Sequence, residues 1–209
     1  MSRSEVIGVL DYGVGNLGSV LNMLRHIDVK ATTIRTPDQL TEVTKLLLPG
    51  VGSFDHAIEK LDALDLAEPI RGYARSGGTI LGICLGMQLL LDSSEEGQRQ
   101  GLGLIPGRSK RFSFAPEAKR RVPHMGWNAV IPRAENPLLA GLETDNRFYF
   151  VHSYHAVCEN DTDIFGETEY GEMFPSMIGR GNVFGAQFHP EKSHRYGMDL
   201  LRNFAGFRA

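Results

Sequence analysis

Cysteine is scarce in this chain, with only Cys84 and Cys158 among 209 residues and no CxxC pair. That scarcity argues against a disulfide framework and against a cysteine zinc cluster. Long hydrophobic runs are also missing, and nothing approaches the roughly 20 apolar residues that a membrane helix needs. The opening Met1-Ser-Arg-Ser-Glu5 lacks the apolar stretch of a secretion signal, so a cytoplasmic protein is expected. An excess of either charge is lacking as well. With 22 basic and 25 acidic residues and a net charge of -3, the chain has no long-range attraction to nucleic acid or anionic membrane. No internal repeat, low-complexity tract or linker divides it. One domain over residues 1–209 is expected, and 42% hydrophobic content suffices for a sizeable core.

What is present is an alternation of short apolar strands and amphipathic helices. Residues 5–11 read as a buried strand, and the turn at 13–18 opens a segment with its apolar face at Val20, Leu21 and Leu24. A strand at 31–35, a helix at 37–43 and the apolar run 45–49 follow. Helices at 54–64 and 67–76 lead to a strand at 79–83, which runs directly into the helical stretch 85–91. Such alternation predicts an α/β fold with a mostly parallel sheet covered on both faces. From about Gly101 the apolar runs shorten, and 148–152 and 183–188 read as antiparallel strands. Residues 197–207, with Met198, Leu201 and Phe204 at helical spacing, predict a final helix packed back on the sheet.

The segment Thr79-Ile-Leu-Gly-Ile-Cys84-Leu-Gly-Met-Gln88 has the layout of a nucleophile elbow, a tight turn between a buried strand and a helix. Gly82 and Gly86 flank Cys84 where side chains would collide with neighbouring backbone. A helix N-terminus favours the thiolate. Its free N–H groups, Leu85 foremost, suit an oxyanion formed when the sulfur adds to a carbonyl. Cys158, before an acidic turn, reads as packing.

The run Asn182-Val-Phe-Gly-Ala-Gln-Phe-His189-Pro-Glu191 reads as a strand delivering a histidine at its end. Residues two apart in extended chain share a face, and Pro190 restrains His189, so Glu191 is placed to align the imidazole. No other histidine combines a strand end with a carboxylate and a proline. His26 and His56 fall on predicted helices, no metal-ligand spacing such as HExxH appears, and neither a metal nor a cofactor is expected.

A competing motif is Gly13-Val-Gly15-Asn-Leu-Gly18, which matches the dinucleotide-binding fingerprint letter for letter. Asp38 lies at about the right distance for a ribose carboxylate. It follows Pro37, however, and reads as a helix start rather than a strand end, and there is little chain left for a separate substrate domain.

Through Gly82-Ile-Cys84-Leu-Gly-Met-Gln88 and His189-Pro-Glu191 the sequence resembles the class I (triad) glutamine amidotransferases. Four further blocks strengthen the likeness: Asp11-Tyr-Gly-Val-Gly-Asn16, Leu48-Pro-Gly-Val-Gly-Ser53, Pro123-His-Met-Gly-Trp-Asn128 and Tyr149-Phe-Val-His-Ser-Tyr154. The resemblance implies a three-layer, flavodoxin-like α/β fold with an antiparallel portion in the C-terminal half. It implies that Cys84 forms a γ-glutamyl thioester and releases ammonia, with His189 moving the proton and Glu191 aligning it. Val51, Gly52 and Leu85 would supply the oxyanion site, and Gln88, Glu96, Ser153 and Tyr154 would hold the amino-acid end of glutamine. Asn16, Pro123, His124, Met125, Gly126, Trp127 and Asn128 would face a (β/α)8-barrel synthase that takes the ammonia in histidine biosynthesis. The same chemistry feeding amination of a surface-polysaccharide sugar, and a cysteine hydrolase of this fold acting on a peptide or ester, are the alternatives.

One basic, aromatic stretch stands apart. Arg108-Ser-Lys-Arg111 and Lys119-Arg-Arg121 bracket Phe112-Ser-Phe114-Ala-Pro116, a composition that taken alone suggests RNA contact; a solvated loop beside the partner is the reading that fits an acidic chain. The contrast between the two cysteines yields a first prediction. A glutamine-mimicking diazo ketone is expected to modify Cys84 and leave Cys158 untouched, as peptide mapping by mass spectrometry will report.

Overall fold

Eight strands form the central sheet, in the order β2-β1-β3-β4-β13-β12-β11-β8. The computed structural model describes residues 6–115, 117, 120–133 and 135–208. Expected features at Glu5, Pro116 and Lys119 therefore lie outside the described residues. The parallel part comprises β1 (Ile7–Leu10), β2 (Ala31–Ile34), β3 (Lys45–Gly50), β4 (Thr79–Cys84) and β13 (Val183–Ala186). Beyond β13 the sheet turns antiparallel through β12 (Met173–Arg180), β11 (Ile164–Glu169) and the short edge strand β8 (Ile131–Pro132). Apart from the main sheet, β10 (Tyr154–Cys158), β6 (Gly107–Arg111) and β5 (Ser93–Ser94) form one small sheet. A two-stranded ribbon joins β7 (His124–Asn128) to β9 (Phe148–His152).

Side-chain alternation assigns the two faces. On β3, Leu46 and Leu48 point into a core with α2 (Phe54–Ala63) and α3 (Ala67–Arg75), whereas Leu47 points into a core with α1 (Leu17–His26) and α5 (His194–Gly206). The result is three layers, with the sheet apolar on both sides because both are covered. Helical spacing puts Phe54, Ala57, Ile58 and Leu61 on the inner face of α2, and Leu200, Leu201 and Phe204 on that of α5.

Three expectations need correction. Residues 37–43 do not form an α-helix but a 3-10 turn, Pro37–Glu42, whose start is fixed by a capping box between Thr36 and Gln39. The basic stretch 108–111 is strand β6 rather than loop, paired along its length with β10. Phe112 is not presented to solvent either; it is buried at 1% exposure and stacked on His155 at 4.5 Å. The glycine-rich segment after β1 has a local explanation. Gly13 and Gly15 both have positive φ, Asp11 accepts from Gly13 N–H, and Gly15 leans on Pro49 and Gly50. Asp11 is paired with Arg35 at 2.8 Å, and Asp38 sits in the 3-10 turn.

The strands β3, β4 and β13 all end at one edge of the sheet, and α4 (Leu85–Leu89) starts there. α4 packs so closely on β3 that a Cβ on Gly86 would collide with the Leu48 carbonyl oxygen, and one on Gly82 would meet the Gly86 carbonyl oxygen at 2.5 Å. Gly86→Ala is expected to cost about 1–3 kcal/mol through overpacking. At about 2–4 °C per kcal/mol for a chain of this size, a thermal unfolding scan will read the loss.

Candidate active site

Cys84 is the last residue of β4 and the N-cap of α4, with φ 56° and ψ -109°. A side chain with a Cβ rarely adopts positive φ, and here the strain is held by the two glycine contacts with neighbouring backbone. The turn lifts the thiol into a cleft of about 350 Å³. Val151 O and Gln187 Nε2 both lie 3.9 Å from Sγ.

His189 reaches the same cleft from β13, three residues beyond the strand's end. Its backbone N–H donates to Tyr149 O at 2.9 Å, and its carbonyl accepts from Ser193 Oγ at 2.6 Å. Nδ1 lies 2.7 Å from Glu191 Oε1, with both side chains buried at 2% and 3% exposure. The pairing does not arise as expected from extended chain. Pro190–Lys192 is a 3-10 turn that begins at His189, and this turn folds the carboxylate back onto the ring. Nε2, on the ring edge away from Glu191, is buried on the side of the Cys84 thiol. Burial disfavours the imidazolium, but hydrogen bonding and charge at Cys84 and then Glu191 outweigh it, and the His189 pKa is raised from 6.5 to about 9. A thiol beside an imidazole anchored by a carboxylate is an arrangement suited to nucleophilic addition with proton transfer.

The opposite wall comes from the end of β3. Val51 is exposed at 42%, and Gly52 has φ 99° with no neighbour that would obstruct a Cβ, so glycine is needed there for conformation rather than space. Tyr12, buried at 1%, donates from its hydroxyl to Pro49 O at 2.9 Å and fixes the strand just before this segment. Leu85, whose N–H opens α4, lines the cleft. Glu96 also lines it while accepting from Phe54 N–H at 2.9 Å, so this carboxylate caps α2 in place of the Ser53 side chain.

Gln88 is buried rather than exposed on its helix. Its amide nitrogen donates to Tyr154 O at 3.0 Å and to Gln187 Oε1 at 3.2 Å. Ser153 and Tyr154 lie in the lining with Val151 and His152. Sequence reasoning passed over Tyr12, Val151, His152 and Gln187. A signal existed for Gln187, a polar residue inside the apolar run 183–188, and for His152, whose neighbours on β9 are apolar. None existed for Val151, which contributes a carbonyl.

The segment expected to face a partner divides by strand alternation. Met125 and Trp127 stand outward at 63% and 48% exposure, with Trp127 stacked on His194 at 5.3 Å. His124 turns inward and is buried at 2%, which removes it from any docking surface. Asn128 donates to Glu169 O at 2.8 Å, Gly126 has φ 133°, and Pro123 lines the cleft. Asn16 caps α1 by accepting from Ser19 N–H at 3.3 Å. Cys158 is half-buried, and desolvation followed by Asp163 and Asp161 pushes its thiol up to about 12, which leaves it a poor nucleophile. Among the described residues no group of three or more metal-ligand side chains is assembled, and no helix is long and apolar enough to cross a membrane.

A cysteine elbow opposite a histidine–carboxylate pair on a doubly wound sheet defines a class of protein, and the comparisons agree on it. The family model described as "Glutamine amidotransferase class-I" matches residues 8–206, and the chain belongs to that family. Among curated proteins it is 45% identical to the imidazole glycerol phosphate synthase subunit HisH of Leptospira interrogans, covering 96% of this chain and 99% of that one. It is likewise 45% identical to the subunit HisH 2 of Pseudomonas aeruginosa, over 95% and 98% of the two chains. Solved structures show the fold alone: PurLQS of Thermotoga maritima has a TM-score of 0.73 at 19% identity, covering 95% of this chain and 96% of that one. A glutamine amidotransferase of the same organism gives 0.64 at 17%, over 95% and 81%.

The His189 geometry carries a pH dependence with a definite sign. A histidine whose folded pKa, about 9, exceeds its ordinary 6.5 stabilises the fold fully below about pH 6.5 and loses that contribution as pH rises through 9. Glu191→Gln removes one of the raising influences. NMR titration of the ring is expected to show a lower pKa in this variant, and chemical denaturation across the same range a narrower window of stabilisation.

Proposed function

We propose that this chain is the glutaminase subunit of an imidazole glycerol phosphate synthase, hydrolysing glutamine to glutamate and ammonia for use by a (β/α)8-barrel partner in histidine biosynthesis. The observation that carries the reading is the strained Cys84 turn, which shares one cleft with an imidazole bonded at 2.7 Å to Glu191. In this scheme the Cys84 thiolate adds to the side-chain amide carbon of glutamine. His189 gives its proton to the departing nitrogen, ammonia leaves, and a γ-glutamyl thioester remains. His189 then takes a proton from water, which attacks the thioester and releases glutamate. Glu191 keeps the ring oriented throughout.

Leu85 N–H is the inner oxyanion donor, and the Val51–Gly52 peptide is the outer one. A glycine at positive φ in an exposed loop allows that peptide to turn over when a partner docks. Loss of one such donor costs on the order of 10²–10³ in rate, enough to keep the unpaired chain quiet. Glu96 supplies negative charge for the α-ammonium of glutamine, beside the Ser153–Tyr154 segment. Met125 and Trp127 offer the barrel partner an apolar contact on the ribbon that carries Val151. A junction there keeps ammonia out of bulk water, where it would be protonated. The relatives at 45% identity support the histidine-pathway acceptor, and no feature of the cleft favours the polysaccharide sugar or a peptide or ester substrate.

Cys84→Ala is expected to abolish synthesis from glutamine in the paired enzyme while leaving synthesis from free ammonium intact. Steady-state assays with the two nitrogen sources make the comparison. Loss of both activities would refute the division of labour between the subunits.

A further inference from the structure

At the cleft wall, the cross-strand partners His124 on β7 and His152 on β9 face each other, with Nδ1 of the first 3.0 Å from Nε2 of the second. Both rings are buried, at 2% and 6% exposure, and neither belongs to the proposed triad. Their hydrogen bonds admit one direction. Tyr154 O, a pure acceptor, lies 2.7 Å from His152 Nδ1, so that nitrogen carries the proton and Nε2 accepts. His124 Nδ1 must then donate, which leaves its own Nε2 to accept from Asn128 Nδ2 at 3.4 Å. Both rings are neutral, since burial foremost lowers the pKa values to about 4 for His124 and about 3 for His152.

The network continues past Tyr154 with its polarity reversed. Its carbonyl also accepts from Gln88 Nε2 at 3.0 Å, and the same nitrogen donates to Gln187 Oε1 at 3.2 Å. Both Gln88 amide hydrogens are thereby spent inside the protein, and the group left to offer is the amide oxygen. Gln187, with its oxygen committed, turns its nitrogen toward Cys84 Sγ at 3.9 Å. A continuous hydrogen-bond network, with donors converging on the Tyr154 carbonyl from both sides, thus links the strand that presents Met125 and Trp127 to the side chains around the thiol.

We infer that His152, backed by His124 and Asn128, is a positioning residue for glutamine recognition. It holds the Tyr154 carbonyl so that Gln88 presents its amide oxygen, a hydrogen-bond acceptor beside Glu96, to the α-ammonium of the substrate. This rests on the reading of the cleft as a glutamine site. The role belongs to the His152 Nδ1 donor and not to ring bulk, which separates it from plain packing. It also joins the subsite mechanically to the docking strand, because His124 and Met125 are consecutive on β7.

The test is glutamine hydrolysis by the complex with the synthase subunit. His152→Leu removes the donor, and loss of one hydrogen bond of about 1–1.5 kcal/mol is expected to raise KM for glutamine about tenfold, with kcat little changed. His152→Asn places an amide N–H where Nδ1 stood and is expected to stay within about twofold of the wild type, a margin in line with the scatter of such substitutions. His124→Phe keeps the ring stack on Phe150 at 4.7 Å but removes the supporting donor, and is expected to raise KM by a smaller factor. Long-range proton–nitrogen NMR on the wild type is expected to find both rings neutral and protonated on Nδ1. An Nε2–H tautomer at His152, or equal KM values for the Leu variant and the wild type, would overturn the inference alone. Failure of the wild-type complex to release glutamate would overturn the glutaminase reading and this one with it. Ammonium-dependent synthesis by each variant reports that the complex is assembled.

Discussion

The close approach of the β4–α4 turn to β3 is the contact on which the rest of the site depends. Gly86 backbone lies against the Leu48 carbonyl, and Gly82 lies under Gly86, with no space for a methyl group at either position. That packing lets Cys84 occupy positive φ, because the surrounding sheet over-determines the turn and offsets its strain. Parallel register then does the rest. β3, β4 and β13 run together, so the proposed oxyanion segment after Gly50, the thiol at Cys84 and the histidine after Ala186 all emerge at one edge.

The histidine and its carboxylate show a different principle. His189 is buried, and burial alone would discharge it; its pKa nevertheless rises because two hydrogen-bonding neighbours of opposite charge flank the ring. The geometry is set by backbone. Tyr149 and Ser193 pin His189 from outside its own strand, and the turn at Pro190 brings Glu191 round. β9 at Tyr149, distant in sequence, and the local turn after His189 thus share in positioning the ring.

The β7–β9 ribbon lies between surface and chemistry. One strand carries the outward Met125 and Trp127, and the other carries the Val151 carbonyl near Sγ and leads into the Ser153–Tyr154 segment of the cleft. Five paired residues tie the two strands together, His124 to Asn128 against Phe148 to His152. In the proposed glutaminase, this gives a physical route by which docking of the barrel partner reaches the substrate.

Much of this was legible in the sequence where the signal was local. Short apolar runs marked the parallel strands and helical spacing marked α1, α2, α3 and α5, and the paired glycines around Cys84 marked the elbow, because sterics at a tight turn act between residues close in the chain. His189 and Glu191 were found as a pair, though their contact comes from a turn and not an extended strand. The basic stretch at 108–111 misled, since whether charged residues line a loop or a strand depends on the partner strand β10, some 45 residues away. Gln88 was assigned to the substrate site only through the family resemblance, and His152 and Gln187 drew no notice, because a buried polar side chain declares itself only through partners brought in from elsewhere. The sequence by itself determined the layered fold and the nucleophile's turn, both governed by near neighbours. Only the tertiary structure decided which polar groups meet behind the thiol, because hydrogen-bond direction is set by acceptors, here the Tyr154 carbonyl, that the fold brings together with donors from other strands and loops.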